Sequence, residues 1–305
     1  MREPSSDPPP RYWIERAPHG YRVVGPALLI WEPTLGEAQE RRDEIEGGVA
    51  RWRAAAPRPL ACEAPLRRPV YGPIASRRLG RSLGVDLSPP GRRACSFDCV
   101  YCSWSRLPAA AAGSGWPEPR AVAAALAEAL RCERELDSIT ISGHGEPTLH
   151  PRFAETVDAV LAVVEQSGCS VPVRILTNGT EAAREPVRRA LDRLDERIVK
   201  LDADTHRVGR PRALRAVALR PLALAALRDV TVQACFIGGA ATNALPASVA
   251  AWSDAVAAAA PRAVQIYSID RQPAACDVLP LGARQLEEIA CALRARTGIE
   301  ARVFG

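Results

Sequence analysis

Ser138-Ile139-Thr140-Ile141-Ser142-Gly143-His144-Gly145-Glu146-Pro147-Thr148 begins as a short β-branched run and breaks at two glycines and a proline. A run this short and apolar, bounded by turn residues, reads as a strand buried on both faces, as parallel strands are. The same signature recurs at Ser82–Leu87, Val171–Leu176, Ile198–Leu201, Val230–Ile237 and Ala263–Ile266. Helical patterns lie between the runs: Val122, Leu126 and Leu130 recur at i+4, and Leu286, Ile289 and Leu293 follow at i, i+3, i+7. Pro119 and Pro151 stand where helices can begin, and Gly298 follows the last one as a C-terminal cap. Six strands alternating with helices predict an α/β fold, either a parallel barrel of partial (βα)6 form or a doubly wound sheet. In both, the site belongs at the C-terminal ends of the strands.

The chain has 305 residues, 47% of them hydrophobic and 25% charged, which is an ordinary globular composition able to bury a core. At about 150 residues per domain the length suggests two domains, although α/β barrels run longer as one. The longest apolar run, Val249 to Ala260, is interrupted by Asp254, whereas a transmembrane helix needs about 20 apolar residues. The first residues carry no apolar signal core. No membrane partner is therefore expected, and the protein reads as cytoplasmic, with its nine cysteines as free thiols or metal ligands. The net charge of +5 is too small to require nucleic acid, and only one of the 40 basic residues, Lys200, is a lysine.

Residues 1–20 are rich in proline and charge and read as a flexible tail. Residues 21–65 read as a small module: strands at Tyr21–Val24 and Ala27–Trp31, a polar helix from Gly36 to Trp52, and a proline-rich linker over Ala54–Pro69. Residues 66–305 form the strand–helix domain.

After the first strand stands Cys95-Ser96-Phe97-Asp98-Cys99-Val100-Tyr101-Cys102. Cys95, Cys99 and Cys102 can present three thiolates to one centre, and thiolates favour zinc or iron–sulfur. Structural zinc usually takes four ligands in paired Cys-x2-Cys units, and no fourth cysteine is evident here. Three thiolates leave one iron of a [4Fe–4S] cluster open to an outside ligand.

The Cys-x3-Cys-x2-Cys loop, with the aromatic Tyr101 just before its third cysteine, resembles that of the radical S-adenosylmethionine (SAM) superfamily. The resemblance implies a partial (βα)6 radical SAM barrel with a small N-terminal α/β appendage. It also implies a [4Fe–4S] cluster on Cys95, Cys99 and Cys102, with SAM as co-substrate. Gly143, Gly145 and Glu146 match the superfamily's Gly-Gly-Glu motif, which holds the SAM amino group, with His144 in the middle position. Small residues let backbone approach a ligand, and a carboxylate suits an ammonium. His144 either donates to substrate or caps the strand end. Asn178, in Thr177-Asn178-Gly179-Thr180, and Tyr101 join the SAM contacts, and Asp202, with Asp204 second, is assigned to the ribose. Lys200 is either a substrate or carboxylate contact or an exposed residue. Arg77 and Arg78 either grip an anionic substrate, support SAM or are solvated.

Within the superfamily the chain is similar to the group of wyosine-type tRNA-modifying Fe–S oxidoreductases. The stretches that carry this are Tyr71 to Gly80, the cysteine loop, Gly145 to Leu149, Lys200 to Ala203 and Val264 to Ser268. Wyosine-forming enzymes bear additional N-terminal cysteines, whereas here only Cys62 precedes the loop. The implied activity is reductive cleavage of SAM to a 5′-deoxyadenosyl radical acting on an unidentified substrate, either a small molecule or tRNA. Electrons would come from a donor such as flavodoxin or ferredoxin. Other readings are a glycyl-radical activase and a zinc-binding protein.

Overall fold

In the computed structural model the described residues are 13–17, 20–25, 28–32, 34–55, 69–105, 107–110, 115–133, 135–209, 224–271, 273 and 278–305. Most of the chain after residue 68 is built on an eight-stranded sheet. Strands β5 (Gly80–Val85), β6 (Ser138–Ile141), β7 (Val173–Thr177), β8 (Glu196–Lys200), β9 (Val230–Cys235) and β11 (Ala263–Tyr267) are parallel and adjacent in that order. They are the six runs read from the sequence, with boundaries shifted by a few residues. Every strand lies beside its predecessor and the order never reverses. A doubly wound sheet needs such a reversal, so the barrel form is the one realised.

Two further strands extend the sheet beyond the six expected. β13 (Ala301–Phe304) adds in parallel to β11, and β4 (Val70–Ser76) adds antiparallel to β5, with a bulge between Tyr71 and Ile74. Both lack a sequence signature because no residue in either edge strand is fully buried, so neither carries the dense apolar run of the inner strands nor a regular alternation. The hairpin turn between β4 and β5 then bridges the gap between the sheet's two edges. Arg77 bonds the Gly305 carbonyl and lies 3.3 Å from Asp270, and Arg78 covers the Tyr267 ring at 4.1 Å. A short antiparallel ribbon, β10 (Ile237–Gly239) with β12 (Val278–Pro280), stands beside the ends of β9 and β11.

The helices follow the apolar spacing. In α2 (Pro119–Cys132), Val122, Leu126 and Leu130 are buried, and Pro119 starts the helix. α3 (Phe153–Gln166) begins two residues after Pro151, with Arg152 as its N-cap. α4 (Glu185–Leu191) and the single turn α5 (Thr205–Val208) follow. The Val249–Ala260 run is α6 (Pro246–Ala259), and α7 (Ala283–Thr297) ends at Gly298, whose φ of 74° closes the helix in the left-handed region. The helix flanks and the strand side chains merge into one core that includes Leu83, Leu126, Ile139, Ile175, Val232 and Leu293.

The N-terminal module starts earlier than its composition suggests. Trp13–Ala17, assigned to a tail from its neighbouring prolines, forms β1 and pairs antiparallel with β2 (Gly20–Gly25), which pairs with β3 (Leu28–Glu32). Long-range pairing decides this segment, and it leaves little local signature. Helix α1 (Leu35–Ala55) opens on a reciprocal box in which Thr34 and Glu37 cap each other's backbone. Its Arg41 is buried and paired with Glu44 and with Glu288 of α7, which ties the module to the barrel. Ala54 and Ala55 of the expected linker belong to α1, and residues 56–68, with Cys62, lie outside the described residues. No described helix is long and apolar enough to cross a membrane.

Trp252 of α6 shows how the outer helices hold the strand ends. Its indole donates to the Leu201 carbonyl at 2.7 Å and meets Phe236 edge-on at 5.0 Å. Trp252→Ala removes both the bulk and that donor, so urea denaturation is expected to show a loss of about 3–5 kcal/mol.

Candidate active site

The cysteine loop lies against the C-terminal ends of the strands and is pinned on two sides. On one side the Glu146 amide donates to the Ala94 carbonyl at 2.7 Å. On the other, the Asp98 and Val100 amides donate to Gly209 and Val208, each at 2.9 Å, while Phe97 is buried between the two sides. Arg93, also buried, forms a 2.6 Å ion pair with Asp98 across the loop. The loop therefore has little freedom beyond its side chains.

Cys95, Cys99 and Cys102 are all half-buried. Burial raises the Cys95 thiol to about 12, with the charge of Glu146 adding to the shift. Burial also raises Cys99, where Asp202 and the other two thiols add, and it raises Cys102 although a hydrogen bond from Arg93 pulls the other way. The three sulfurs sit close enough to feel one another's charge. Cys95 further accepts from the Phe97 amide at 3.4 Å and from the Asn178 side chain at 3.8 Å. Among the described residues no three His, Cys, Asp or Glu side chains close on a single point as a one-ion site does. A [4Fe–4S] cluster takes one thiolate per iron, so three neighbouring cysteines with N–H donors to sulfur suit its chemistry.

Glu146 is buried and its carboxylate takes four donors. Oε1 accepts from the Thr148 amide at 3.1 Å and from the Thr148 and Thr177 hydroxyls at 2.6 Å, and Oε2 accepts from the Asn178 amide at 2.6 Å. Burial nevertheless raises its pKa above the usual carboxylate value, with these bonds opposing the shift. Asn178 continues the chain of contacts: its side-chain N–H donates to Ser96 Oγ at 2.8 Å and its carbonyl accepts from Thr180. Gly143 and Gly145 are required by the chain itself. A Cβ at Gly143 would strike the Asp86 carboxylate, and one at Gly145 would strike the Ala94 carbonyl. The smallness read as clearance for a ligand is used here for packing of the chain on itself.

His144 is buried, with Nδ1 on Asp86 and Nε2 3.2 Å from the Pro89 carbonyl. Burial pushes its pKa down, but the Asp86 carboxylate more than offsets this and the net shift is upward. Of its two sequence readings, the strand-end cap is the one its partners favour.

Across the site, Tyr101 donates its phenol to Asp202 Oδ2. Asp202 Oδ1 accepts from the Cys235 amide at 2.7 Å and from Lys200 at 2.9 Å. Lys200 also donates to the Tyr267 hydroxyl at 2.9 Å and stands 5.2 and 4.7 Å from the rings of Tyr101 and Tyr267. Burial works against its charge, but Asp202 and Tyr267 outweigh it and hold the amine as an ammonium. Asp204 turns away and accepts from Ser248 at 2.6 Å. Of the residues named from the sequence, Glu146 and Asn178 lie beside Cys95 and Gly145 packs on Ala94 next to it, Tyr101 and Asp202 lie near Cys99, Gly143 packs on Asp86, and Asp204 points away from the group. The sequence did not single out Arg93 or Asp86, and it left Tyr267, in the strand-end stretch Tyr267 to Arg271, open between pocket lining and a turn. Arg93 stands two residues before Cys95 among other arginines and carries no distinguishing signal. Tyr267 lies at the end of a strand whose other rim residues fit a turn equally well.

The curled sheet of parallel strands in chain order is also found in solved radical SAM enzymes. Solved structures with this fold include TYW1 with a lysine-pyruvate adduct bound, at a TM-score of 0.52 and 16% identity over 71% of this chain and 74% of that one. A radical SAM methyltransferase from Sphaerobacter thermophilus matches with a TM-score of 0.51 and 19% identity, covering 73% and 65%. At these identities the likeness is one of fold. No family model matches the chain. In sequence it is 33% identical over 136 residues to a UPF0026 protein of Helicobacter pylori, covering 44% of this chain and 42% of that protein. It is 34% identical over 152 residues to a UPF0026 protein of Synechocystis, covering 47% and 52%. The chain thus spans about half or less of the curated relatives it matches.

Raised thiols react slowly with electrophiles, because the thiolate is the nucleophile. In the metal-free protein at pH 8, iodoacetamide is expected to modify the exposed Cys132 and Cys291 before Cys95, Cys99 and Cys102. The loop cysteines should catch up only as the pH rises, as read by peptide mass spectrometry. Glu146→Gln replaces an acceptor oxygen with N–H donors facing donors, and should cost about 1–3 kcal/mol in denaturant titrations.

Proposed function

We propose that the chain is a radical SAM Fe–S oxidoreductase that reductively cleaves SAM and uses the resulting 5′-deoxyadenosyl radical on a substrate in the barrel. The observation that carries this is the rigid loop that gathers Cys95, Cys99 and Cys102 and, through Tyr101, is hydrogen-bonded to Asp202 at the end of β8. When bound, a reduced [4Fe–4S] cluster supplies the electron that splits SAM into methionine and the radical. The three cysteines would hold the cluster, with Arg93 and the Asn178 side chain donating toward sulfur. Strand-end backbone around Gly143, Gly145 and Glu146 would meet the SAM amino group. Tyr101 and Asp202 would orient the nucleoside, and the buried aromatic side chains would exclude water from the reacting carbon.

A lysine–carbonyl adduct of the kind named for one structural neighbour requires a neutral amine. Lys200, the chain's one lysine, is held as an ammonium by Asp202 and does not favour that chemistry. An RNA substrate is a second possibility with little support from the surface. Many exposed arginines are matched by acids, among them Arg152 with Glu118 and Glu155, Arg189 with Glu185 and Arg296 with Asp254.

The anaerobically reconstituted protein is expected to bind about four irons and, given SAM and dithionite, to release 5′-deoxyadenosine. Cys99→Ala should abolish both the brown colour and the product. A colourless protein that binds one zinc and makes no 5′-deoxyadenosine would replace this reading with a zinc-binding one.

A further inference from the structure

Arg77 and Arg78 are adjacent in sequence but differ in their surroundings. Arg77 is consumed by the Gly305 carbonyl and Asp270. Arg78 is half-buried, and its guanidinium has neither an acidic partner nor a hydrogen-bond acceptor among the described residues. It lies over the Tyr267 ring at 4.1 Å. A guanidinium stacked on an aromatic face keeps its N–H groups pointing outward in its own plane, the arrangement that grips a planar oxyanion with two parallel bonds.

The surroundings set the charge of what would fit. Lys200 stands 4.7 Å from the same Tyr267 ring and 5.2 Å from Tyr101, the aromatic residue of the cysteine loop. Two cations therefore flank Tyr267, and Asp202, 2.9 Å from Lys200, neutralises only one of them. The group Arg78, Lys200 and Asp202 carries one excess positive charge, which a monoanion balances and a phosphate dianion exceeds. The path from Cys99 and Cys102 to Arg78 runs through Tyr101, Lys200 and Tyr267, each in contact with the next. A group anchored on Arg78 would thus sit beside the space where the radical is expected to form.

We propose that Arg78 is the anchor for a carboxylate of the substrate, and that the radical acts on a small organic acid or on a residue bearing a free carboxylate. The inference rests on the radical SAM reading for its chemistry and on Arg78, Tyr267 and Lys200 for its specificity.

The test uses ligand-observed NMR on the anaerobic, cluster-loaded full chain, with acetate and pyruvate as carboxylate probes, acetamide as the neutral isostere and inorganic phosphate as the alternative anion. Each is titrated with and without saturating SAM. Expected is saturable carboxylate binding that persists with SAM bound, is absent for acetamide, and weakens at least tenfold in Arg78→Gln. Arg78→Lys, which keeps the charge but loses the fork, should fall between, and Arg77→Gln should bind as the wild type does. The proposal is overturned by unchanged binding in Arg78→Gln, by no saturable binding, or by tighter binding of phosphate. It is also overturned if the probes compete with SAM and SAM affinity falls equally in Arg78→Gln, which would assign Arg78 to the carboxylate of SAM itself. A protein that binds carboxylates through Arg78 but makes no 5′-deoxyadenosine would remove the radical reading and leave an anion site. The reverse result would remove only this inference.

Discussion

A single buried carboxylate organises one side of the site. Glu146 takes donors from Thr148, Thr177 and Asn178, while its own amide grips Ala94 at the root of the cysteine loop. An ionised carboxylate out of water is costly unless its lone pairs are filled. Here three of its four donors are short hydrogen bonds, and they come from two different strand ends. The requirement to satisfy that charge fixes the spacing between the ends of β6 and β7 and the height of Cys95 above them. Gly143 and Gly145 then follow as steric consequences, because nothing larger fits between this rim and Asp86 or Ala94.

The opposite side is organised by an ion pair between aromatic rings. Asp202 answers Lys200, the Cys235 amide and the Tyr101 phenol at once, and the ring of Tyr101 in turn faces Lys200. Breaking one partner of such a group strands the others in a low-dielectric interior. The cysteine loop is therefore held by polar networks at both ends, one based on Glu146 and one on Asp202, with the three thiols between them.

Much of this was readable from the chain. The six core strands are visible because their apolar runs are dense and lack regular polar alternation, and the cysteine loop is visible because three cysteines fall within eight residues. Pairings decided at long range were not readable. Trp13–Ala17 becomes a strand only because Gly20–Gly25 lies alongside it, and β4 and β13 are half-exposed edges without the apolar density of their neighbours. Residue types pointed to Glu146 and Asp202, but not to how fully the protein itself engages them. Nor could a sequence in which arginine is nearly the sole basic residue separate Arg77 from Arg78, since only the fold shows which of them meets an acceptor.

The bulge in β4 bears on a different hazard. An edge strand offers a row of unpaired amide and carbonyl groups to any other chain, and a long flat one invites strand-by-strand association. β4 is interrupted between Tyr71 and Ile74, and Pro73 within it has no N–H to offer. A neighbouring molecule could match its ladder for only a few residues before losing register, so this side of the barrel is a poor template for self-association in a crowded cell.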